Sequence, residues 1–177
     1  MSNTEQITER PYLTFKLDDE LFAVDVARVR EVLDLSRITK IPHSPDYLRG
    51  VINLRGSVVP VIDLRLKFGM SQTEETIDTC IIVIEIEYEE EKIILGALTD
   101  SVQEVFEISS SEIEPPPKIG TKFNADFLLG IGKRENEFMM ILNIDAVFSS
   151  DEIMLVQDAE RMSKENLSNK STNELVM

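Results

Sequence analysis

The sequence is poor in the residues that most often carry chemistry. It has no tryptophan, one cysteine and one histidine in 177 residues. Cys80 cannot form an internal disulfide, and it lies in the apolar run "TCIIVIEI", which predicts a buried structural thiol in a reducing compartment. His43 lies between two prolines of a loop. One histidine and one cysteine cannot build a zinc site, and no acidic loop of the EF-hand type is present, so we expect neither a metal nor another cofactor.

Positive charge is also scarce. Lys and Arg number 18 against 33 Asp and Glu, which gives a net charge of -15. Such a surface repels phosphates and anionic lipid head groups, which argues against nucleic-acid and membrane-surface binding. The polar start "MSNTEQITERP" lacks the apolar stretch of a signal peptide, and no apolar run approaches a membrane span. We therefore expect a cytoplasmic protein with no direct membrane insertion. The content of 42% hydrophobic and 29% charged residues is typical of a globular chain.

The hydrophobic pattern of the sequence is mainly that of β-strands. Alternating apolar residues in "YLTFKL" and "LFAVDV" predict strands on either side of a charged turn at residues 18–20. The segment "VARVREVLDL" fits a helical stripe or a β-branched strand, and we favour a short helical turn leading into a strand. "GVINL" and "SVVPVIDL" predict two strands joined by a tight hairpin at Arg55-Gly56. Pro60 cannot donate to a ladder, which predicts an edge strand or a bulge there.

The second half of the chain repeats the first. Glu31 and Val32 recur as Glu104 and Val105 at one constant offset, and Asp63 and Leu64 recur as Asn143 and Ile144 at a larger one. The change in offset is one insertion, which falls in the loop "PPPKIGTKFNAD". A single module of this size leaves sheet edges exposed, and two modules that curl into small barrels and pack together remove that problem.

The repeat gives a fold class and a domain plan. We predict a mainly β protein of two small five-stranded SH3-like β-barrels packed side by side, with short helices including one near the C-terminus. The segments are a flexible leader (1–11), a first module (12–70), a linker (71–76), a second module (77–149), a C-terminal helix (150–162) and a disordered tail (163–177).

No catalytic constellation emerges from these residues. The sequence lacks G-x-S-x-G, a P-loop and G-x-G-x-x-G, and "GIGKRE" (130–135) only faintly resembles a phosphate loop. Twin barrels that each supply an aspartate are the plan of aspartic proteases. Asp100-Ser101-Val102 lacks the required glycine, however, and Asp63 has Asn143 as its repeat partner. We therefore predict that the protein is not an enzyme.

One family combines these features. "YLRGVINLRGSVVPVIDLR", preceded by "YLTFKLDDELFAVDVARVREVL" and followed by "LTDSVQEVFEISSSEIEPPP" and "FLLGIGKRENEFMMILNID", resembles the CheW family of chemotaxis coupling proteins over residues 12–156. The resemblance implies one CheW-like domain of two five-stranded barrels, in which terminal strands can cross between barrels. It also implies a non-catalytic adaptor between the regulatory domain of a CheA-type histidine kinase and the cytoplasmic tips of methyl-accepting chemoreceptors. Such an adaptor is recruited to membrane-associated arrays and can join CheW-like rings.

The resemblance also assigns surfaces. It implies a receptor groove between the barrels that uses Val29, Glu31, Val32, Arg55 and Val102, with an ion pair between Glu31 and Arg55. It places kinase contacts on barrel loops and edges, for which we select Leu64, Leu66, Phe68 and Phe127. Two alternatives remain open at this stage: the same adaptor role in a chemosensory pathway that does not control motility, and a β-barrel module that binds a small ligand. An enclosed cavity at the barrel junction would favour the ligand, and an open apolar groove would favour the adaptor.

Overall fold

The computed structural model describes residues 8–116, 125–134 and 136–161. The chain forms one short helix α1 (Leu64–Lys67) and a C-terminal helix α2 (150–161). Within these described ranges, four 3-10 helices span Val26–Arg28, Ser110–Glu112, Ala125–Phe127 and Ile144–Ala146. The strands are β1 (Glu9–Leu17), β2 (Glu20–Asp25), β3 (Val29–Asp34), β4 (Leu48–Leu54), β5 (Ser57–Asp63), β6 (Cys80–Tyr88), β7 (Glu91–Thr99), β8 (Ser101–Ser109), β9 (Ile113–Glu114), β10 (Leu128–Arg134) and β11 (Glu137–Leu142).

Tight two-residue turns connect the strands of the hairpins β1–β2, β4–β5 and β6–β7. The β4–β5 turn has Arg55 at φ 51° and Gly56 at φ 86°, so both central residues lie at positive φ as a type I′ turn requires. The predicted Arg55-Gly56 hairpin is confirmed. The β1–β2 and β6–β7 turns use acidic pairs in the same way, with Asp18 and Glu89 both at φ 49°. The predicted helical turn before β3 is confirmed as the 3-10 helix Val26–Arg28.

The strands form two sheets that exchange hairpins. One sheet has the order β8-β1-β2-β11-β10-β9, and the other has the order β3-β6-β7-β5-β4. In the sequence repeat, β1, β2 and β3 correspond to β6, β7 and β8, and β4 and β5 correspond to β10 and β11. With the strands matched in this way, the two sheets have the same strand order, apart from the two-residue β9. The hairpin β1–β2 of the first half therefore lies in a sheet with β8, β10 and β11 of the second half. The hairpin β6–β7 lies with β3, β4 and β5 of the first half. The two halves are repeats in sequence but not separate bodies in space.

Alternation along the strands sends side chains into three apolar cores. In β1, Phe15 and Leu17 face the large core between the two sheets, whereas Tyr12 faces a small core inside the first sheet. In β6, Ile82 faces the large core and Ile81 faces a small core inside the second sheet. Helix α2 closes one side of the large core with Ile153, Val156 and Ala159. The predicted mainly β fold of two packed modules with few short helices, including a C-terminal one, is confirmed. The two predicted five-stranded barrels are curled half-barrels, and the two-residue β9 adds a sixth strand to the first sheet.

Two glycines explain where the outer strands bend. The register shifts between Leu48 and Gly50 in β4 and again between Leu128 and Gly130 in β10. A Cβ at Gly50 would stand 2.1 Å from the backbone oxygen of Thr39, and a Cβ at Gly130 would stand 2.4 Å from that of Glu114. Only glycine allows this approach of the neighbouring segment, because a real Cβ would overlap the carbonyl.

Two sequence expectations need correction. Pro60 is not in an edge strand, since β5 lies between β4 and β7, and the bulge is at Leu48–Gly50. The parallel pairing with β7 begins only at Val61, one residue beyond the proline. Cys80 is half-buried instead of buried, because it is the first residue of β6, where its thiol donates to the Asp78 carbonyl at 3.3 Å. Most of the predicted leader, the tail (163–177), Glu135 of "GIGKRE" and most of the "PPPKIGTKFNAD" loop lie outside the described residues.

Candidate partner-binding surfaces

A bidentate ion pair closes the seam of the second sheet. Strands β3 and β4 are opposite edges of that sheet, yet Arg55 at the β4–β5 turn donates to Glu31 on β3 through Nη1–Oε1 at 2.8 Å and Nη2–Oε2 at 3.1 Å. Thr39 also bridges to Val51. The sheet therefore curls so that its two edges approach each other, as in a half-barrel. The ion pair inferred from the resemblance is present.

An open cleft of about 590 Å³ lies beside this ion pair. Its walls include Glu31 and Arg55, the cations of Arg30 and Lys92, and Gln157 of helix α2. A second cleft of about 440 Å³ lies near Leu66 and Arg49. Neither is an enclosed cavity, and charged side chains border both. This geometry does not favour the small-ligand alternative.

Four valines lie on the faces of β3 and β8 that are turned toward the large core. Directly opposite residues of an antiparallel pair share a face. Val29 and Val32 stand opposite Ile84 and Ile82, and Val102 and Val105 stand opposite Phe15 and Leu13; all four of these partners belong to the large core. Val32 is 41% exposed and Val105 is 55% exposed. We call Val29, Val32, Val102 and Val105 the valine strip; it follows one edge strand of each sheet.

Cys80 shows that the two edge strands approach each other. It pairs with Asp34 at the end of β3. Burial raises the pKa of its thiol, and the backbone N–H of Val102, at the start of β8, acts against that rise. The end of β3 and the start of β8 therefore both lie near Cys80.

The five predicted receptor residues do not share one face: three lie on β3, Val102 lies on β8 and Arg55 lies at the β4–β5 turn. Val29, Val32 and Val102 belong to the valine strip at the large core. Glu31 stands opposite Val83 on the other face, where Arg55 reaches it. Sequence reasoning missed Val105, the repeat partner of Val32, although the repeat itself was sufficient to find it.

Helix α1 carries two of the four predicted kinase residues, Leu64 and Leu66, and Phe68 follows directly as its C-cap. Leu64 is 1% exposed and Phe68 is 8% exposed, so both belong to the large core and support the surface without forming it. Phe68 stacks on Phe22 with ring centroids 5.6 Å apart and lies 5.7 Å from Phe127. Leu66 and Phe127 keep partial exposure. The ammonium of Lys67 lies 5.1 Å from the centroid of Phe127 and 2.7 Å from Glu152 Oε1 of helix α2.

A fully buried carboxylate holds this region together, and sequence reasoning did not find it. Asp63 is 0% exposed and caps α1 by accepting from the backbone N–H of Arg65 at 3.1 Å. It also accepts from the Thr73 N–H at 3.0 Å and from the Thr73 hydroxyl at 2.7 Å, and it pairs with Arg49 at 3.3 Å. Asp63 thereby ties the end of β5 to the following linker. Its repeat partner Asn143 makes no side-chain capping bond.

Other kinds of site find no support in the described part of the chain. No group of three or more His, Cys, Asp or Glu side chains within it could hold a metal ion. None of the helices described there is long and apolar enough to cross a membrane.

Comparison with known proteins agrees with the architecture. The profile of the CheW-like domain matches residues 11–152. "Chemotaxis protein CheW" of Rhizobium meliloti (strain 1021) is 34% identical over 143 residues, which cover 81% of this chain and 90% of that protein. "Chemotaxis protein CheW" of Helicobacter pylori is 31% identical over 140 residues, 79% of this chain and 82% of that protein. The crystal structure of the scaffolding protein TtCheW from Thermoanaerobacter tengcongensis aligns with a TM-score of 0.72 at 34% identity, over 86% of this chain and 96% of that one. The chain belongs to the CheW family of chemotaxis proteins.

Proposed function

We propose that this protein is a non-catalytic cytoplasmic adaptor that couples a CheA-type histidine kinase to the tips of methyl-accepting chemoreceptors. The observation that carries the proposal is the match to the CheW-like domain over residues 11–152, which contain both sheets. The relatives are named chemotaxis proteins, and the similar solved structure is named a scaffolding protein. A scaffold needs partner surfaces and no reactive group. The valine strip offers such a surface, and the raised pKa of the half-buried Cys80 thiol keeps it in the less reactive protonated form.

The receptor surface is the valine strip together with the ion pair Glu31–Arg55. A helical receptor tip docks through apolar anchors, and half-exposed valines on two neighbouring edge strands provide them. The ion pair lies on the other face of β3, at the seam. With the Arg55 side chain 77% exposed, it adds about 0 to 1 kcal/mol to stability, so its main contribution is a fixed orientation of charge.

The kinase surface is the exposed side of α1 and the adjoining 3-10 helix. Leu66 and Phe127 supply direct contacts, while Leu64 and Phe68 hold them in place from the core. A barrel-to-barrel contact through edges and loops can repeat from molecule to molecule, which suits assembly with CheW-like domains into rings.

The test is a calorimetric titration of the protein into a purified CheA-type regulatory domain, and separately into a soluble receptor-tip fragment. We expect micromolar or tighter binding to each, with amide shifts near α1 for the kinase and near the valine strip for the receptor. Leu66→Ala should weaken only the kinase titration, and Val32→Asp only the receptor titration. Absence of binding to both partners would refute the adaptor function, and one variant that weakened both equally would refute the separation of surfaces.

A further inference from the structure

Two ion pairs occupy equivalent places in the two sheets and have opposite polarity. In the second sheet, Arg65 Nε donates to Asp100 Oδ1 at 2.8 Å, and a further bond joins Arg65 Nη2 to Asp100 Oδ2. In the first sheet, Arg28 Nη1 donates to Asp145 Oδ1 at 2.9 Å, and a further bond joins Arg28 Nη2 to Asp145 Oδ2. We call these the two clamps.

The repeat makes one side of the two clamps equivalent and places the other side one residue apart. Arg65 is the second residue of α1, which follows β5, and Asp145 is the second residue of the 3-10 helix that follows β11. Arg28 comes directly before β3, and Asp100 comes directly before β8. The helical position is thus Arg in the first half and Asp in the second. Before the edge strands the charges are reversed, but the residues are one position apart, because Arg28 matches Ser101 and Asp100 matches Ala27 in the repeat.

Each clamp also fastens a hairpin of the other sheet. Asp100 Oδ2 accepts from the Asp18 N–H of the β1–β2 turn at 2.8 Å, and Asp145 Oδ1 accepts from the Glu87 N–H of β6 at 3.0 Å. The side chains are well shielded in the first clamp, at 14% and 22% exposure, and less so in the second, at 28% and 36%. Charges in such places interact more strongly than fully exposed ones.

Polarity here means which side of each ion pair carries the arginine. It matters if a hairpin pairs with strands of its own half of the chain instead of those of the other half. If β1–β2 docked beside β5 instead of β11, Arg28 would meet Arg65. If β6–β7 docked beside β11, Asp100 would meet Asp145. The same contacts arise when a hairpin of one molecule docks on the equivalent half of another. We propose that the opposite polarity of the two clamps selects the exchanged pairing of the hairpins and rejects pairing of like halves, within one chain or between two copies.

This inference goes beyond the adaptor function and does not depend on it. Two repeats with the same strand order would otherwise accept each other's hairpins, and specificity against such alternatives needs a repulsive element in the wrong pairing. Opposite polarity supplies it, since every correct contact is attractive and every incorrect contact is repulsive.

The test uses a double variant that makes the polarity of the two clamps the same. Arg65→Asp with Asp100→Arg leaves an ion pair in each clamp but makes the incorrect pairings attractive as well. A quadruple variant, which adds Arg28→Asp and Asp145→Arg, reverses both clamps and restores the discrimination. All proteins are refolded from urea by dilution to conditions equally far below their unfolding midpoints, and the oligomeric fraction is measured by size exclusion with light scattering.

We expect the oligomeric fraction of the double variant to rise by about five-fold, the factor that corresponds to one moderately exposed ion pair. The quadruple variant should return to the level of the parent protein although it carries twice as many changes. If oligomers arise from lost stability alone, the quadruple variant will instead be the worst of the three, and the proposal is overturned. A double variant that refolds as well as the parent also overturns it.

Discussion

Glu31 and Arg55 join two strands that lie at opposite edges of one sheet. The pair is bidentate, with donor–acceptor distances of 2.8 and 3.1 Å. Its repeat position in the other sheet offers Glu104 with no arginine to match, since the residue that corresponds to Arg55 in sequence is Glu135. The two halves of the sequence therefore differ in charge at these corresponding positions.

Arg55→Glu should weaken receptor binding without unfolding the protein. The change places two carboxylates at the seam, but with Arg55 77% exposed the free energy of unfolding should fall by no more than about 1 kcal/mol. Urea unfolding and titration with the receptor tip measure the two effects. A double variant, Glu31→Arg with Arg55→Glu, should recover the stability and shows whether the receptor reads the orientation of the pair. A large loss of stability in the single variant would mean that Arg55 is structural.

Val32→Asp and Val105→Asp should each weaken receptor binding and leave the melting temperature nearly unchanged. Both valines are about half exposed, so the charge stays solvated in the free protein and loses water only on binding. Ile77→Asp is the matched control, because Ile77 is 99% exposed and lies outside the valine strip. Equal effects of all three changes would point to net charge instead of a docked surface.

Asp63→Ala should destabilise the protein by about 3 kcal/mol, the order of magnitude for breaking a buried, hydrogen-bonded charge pair. The change leaves the Thr73 N–H and hydroxyl without their acceptor, and the Arg49 guanidinium keeps only its contact with Glu75. Asn143→Ala, at the repeat position without a side-chain cap, should cost much less. Urea midpoints measure both changes. Equal losses would show that the buried carboxylate of Asp63 contributes no more to stability than the side chain of Asn143.

Stability should fall in alkaline solution. Burial raises the pKa of Cys80, and it is also the largest cause of the raised pKa of Tyr12 and Tyr47. For each group the unfolded chain loses its proton first. The stabilisation is therefore complete below the unfolded pKa, about 8.5 for a thiol and 10 for a phenol, and is lost as pH rises through the higher folded value. Urea midpoints between pH 7 and 11 measure this loss, and Cys80→Ser should remove the part that begins near pH 8.5. A midpoint that stays constant over this range would contradict the pKa shifts.

The sequence predicted the repeat, the hairpins and the fold class, because period-two alternation and the Arg55-Gly56 turn are local signals. It did not predict which sheet receives each hairpin, since a repeat offset is the same for exchanged and unexchanged strands. In the sequence, Asp63 was notable only because its repeat partner is Asn143 and not a second aspartate. Its burial depends on Thr73 and Arg49, which no local pattern connects to it. Leu64 and Phe68 were assigned to a surface because they follow the hairpin, whereas α1 turns them toward the large core.

The exchange of hairpins has a consequence for synthesis on the ribosome. The sheet β3-β6-β7-β5-β4 is complete in sequence once β7 has emerged, at Thr99. The hairpin β1–β2, made first, must wait for β8 and β11, and both of its edges stay unpaired during that time. Unpaired strand edges invite association with other chains. Strands β1 and β2 are thus the first of the described strands to be made, but their edges are covered only after β11 has emerged, which leaves residues 9–25 open to association with other chains during that interval.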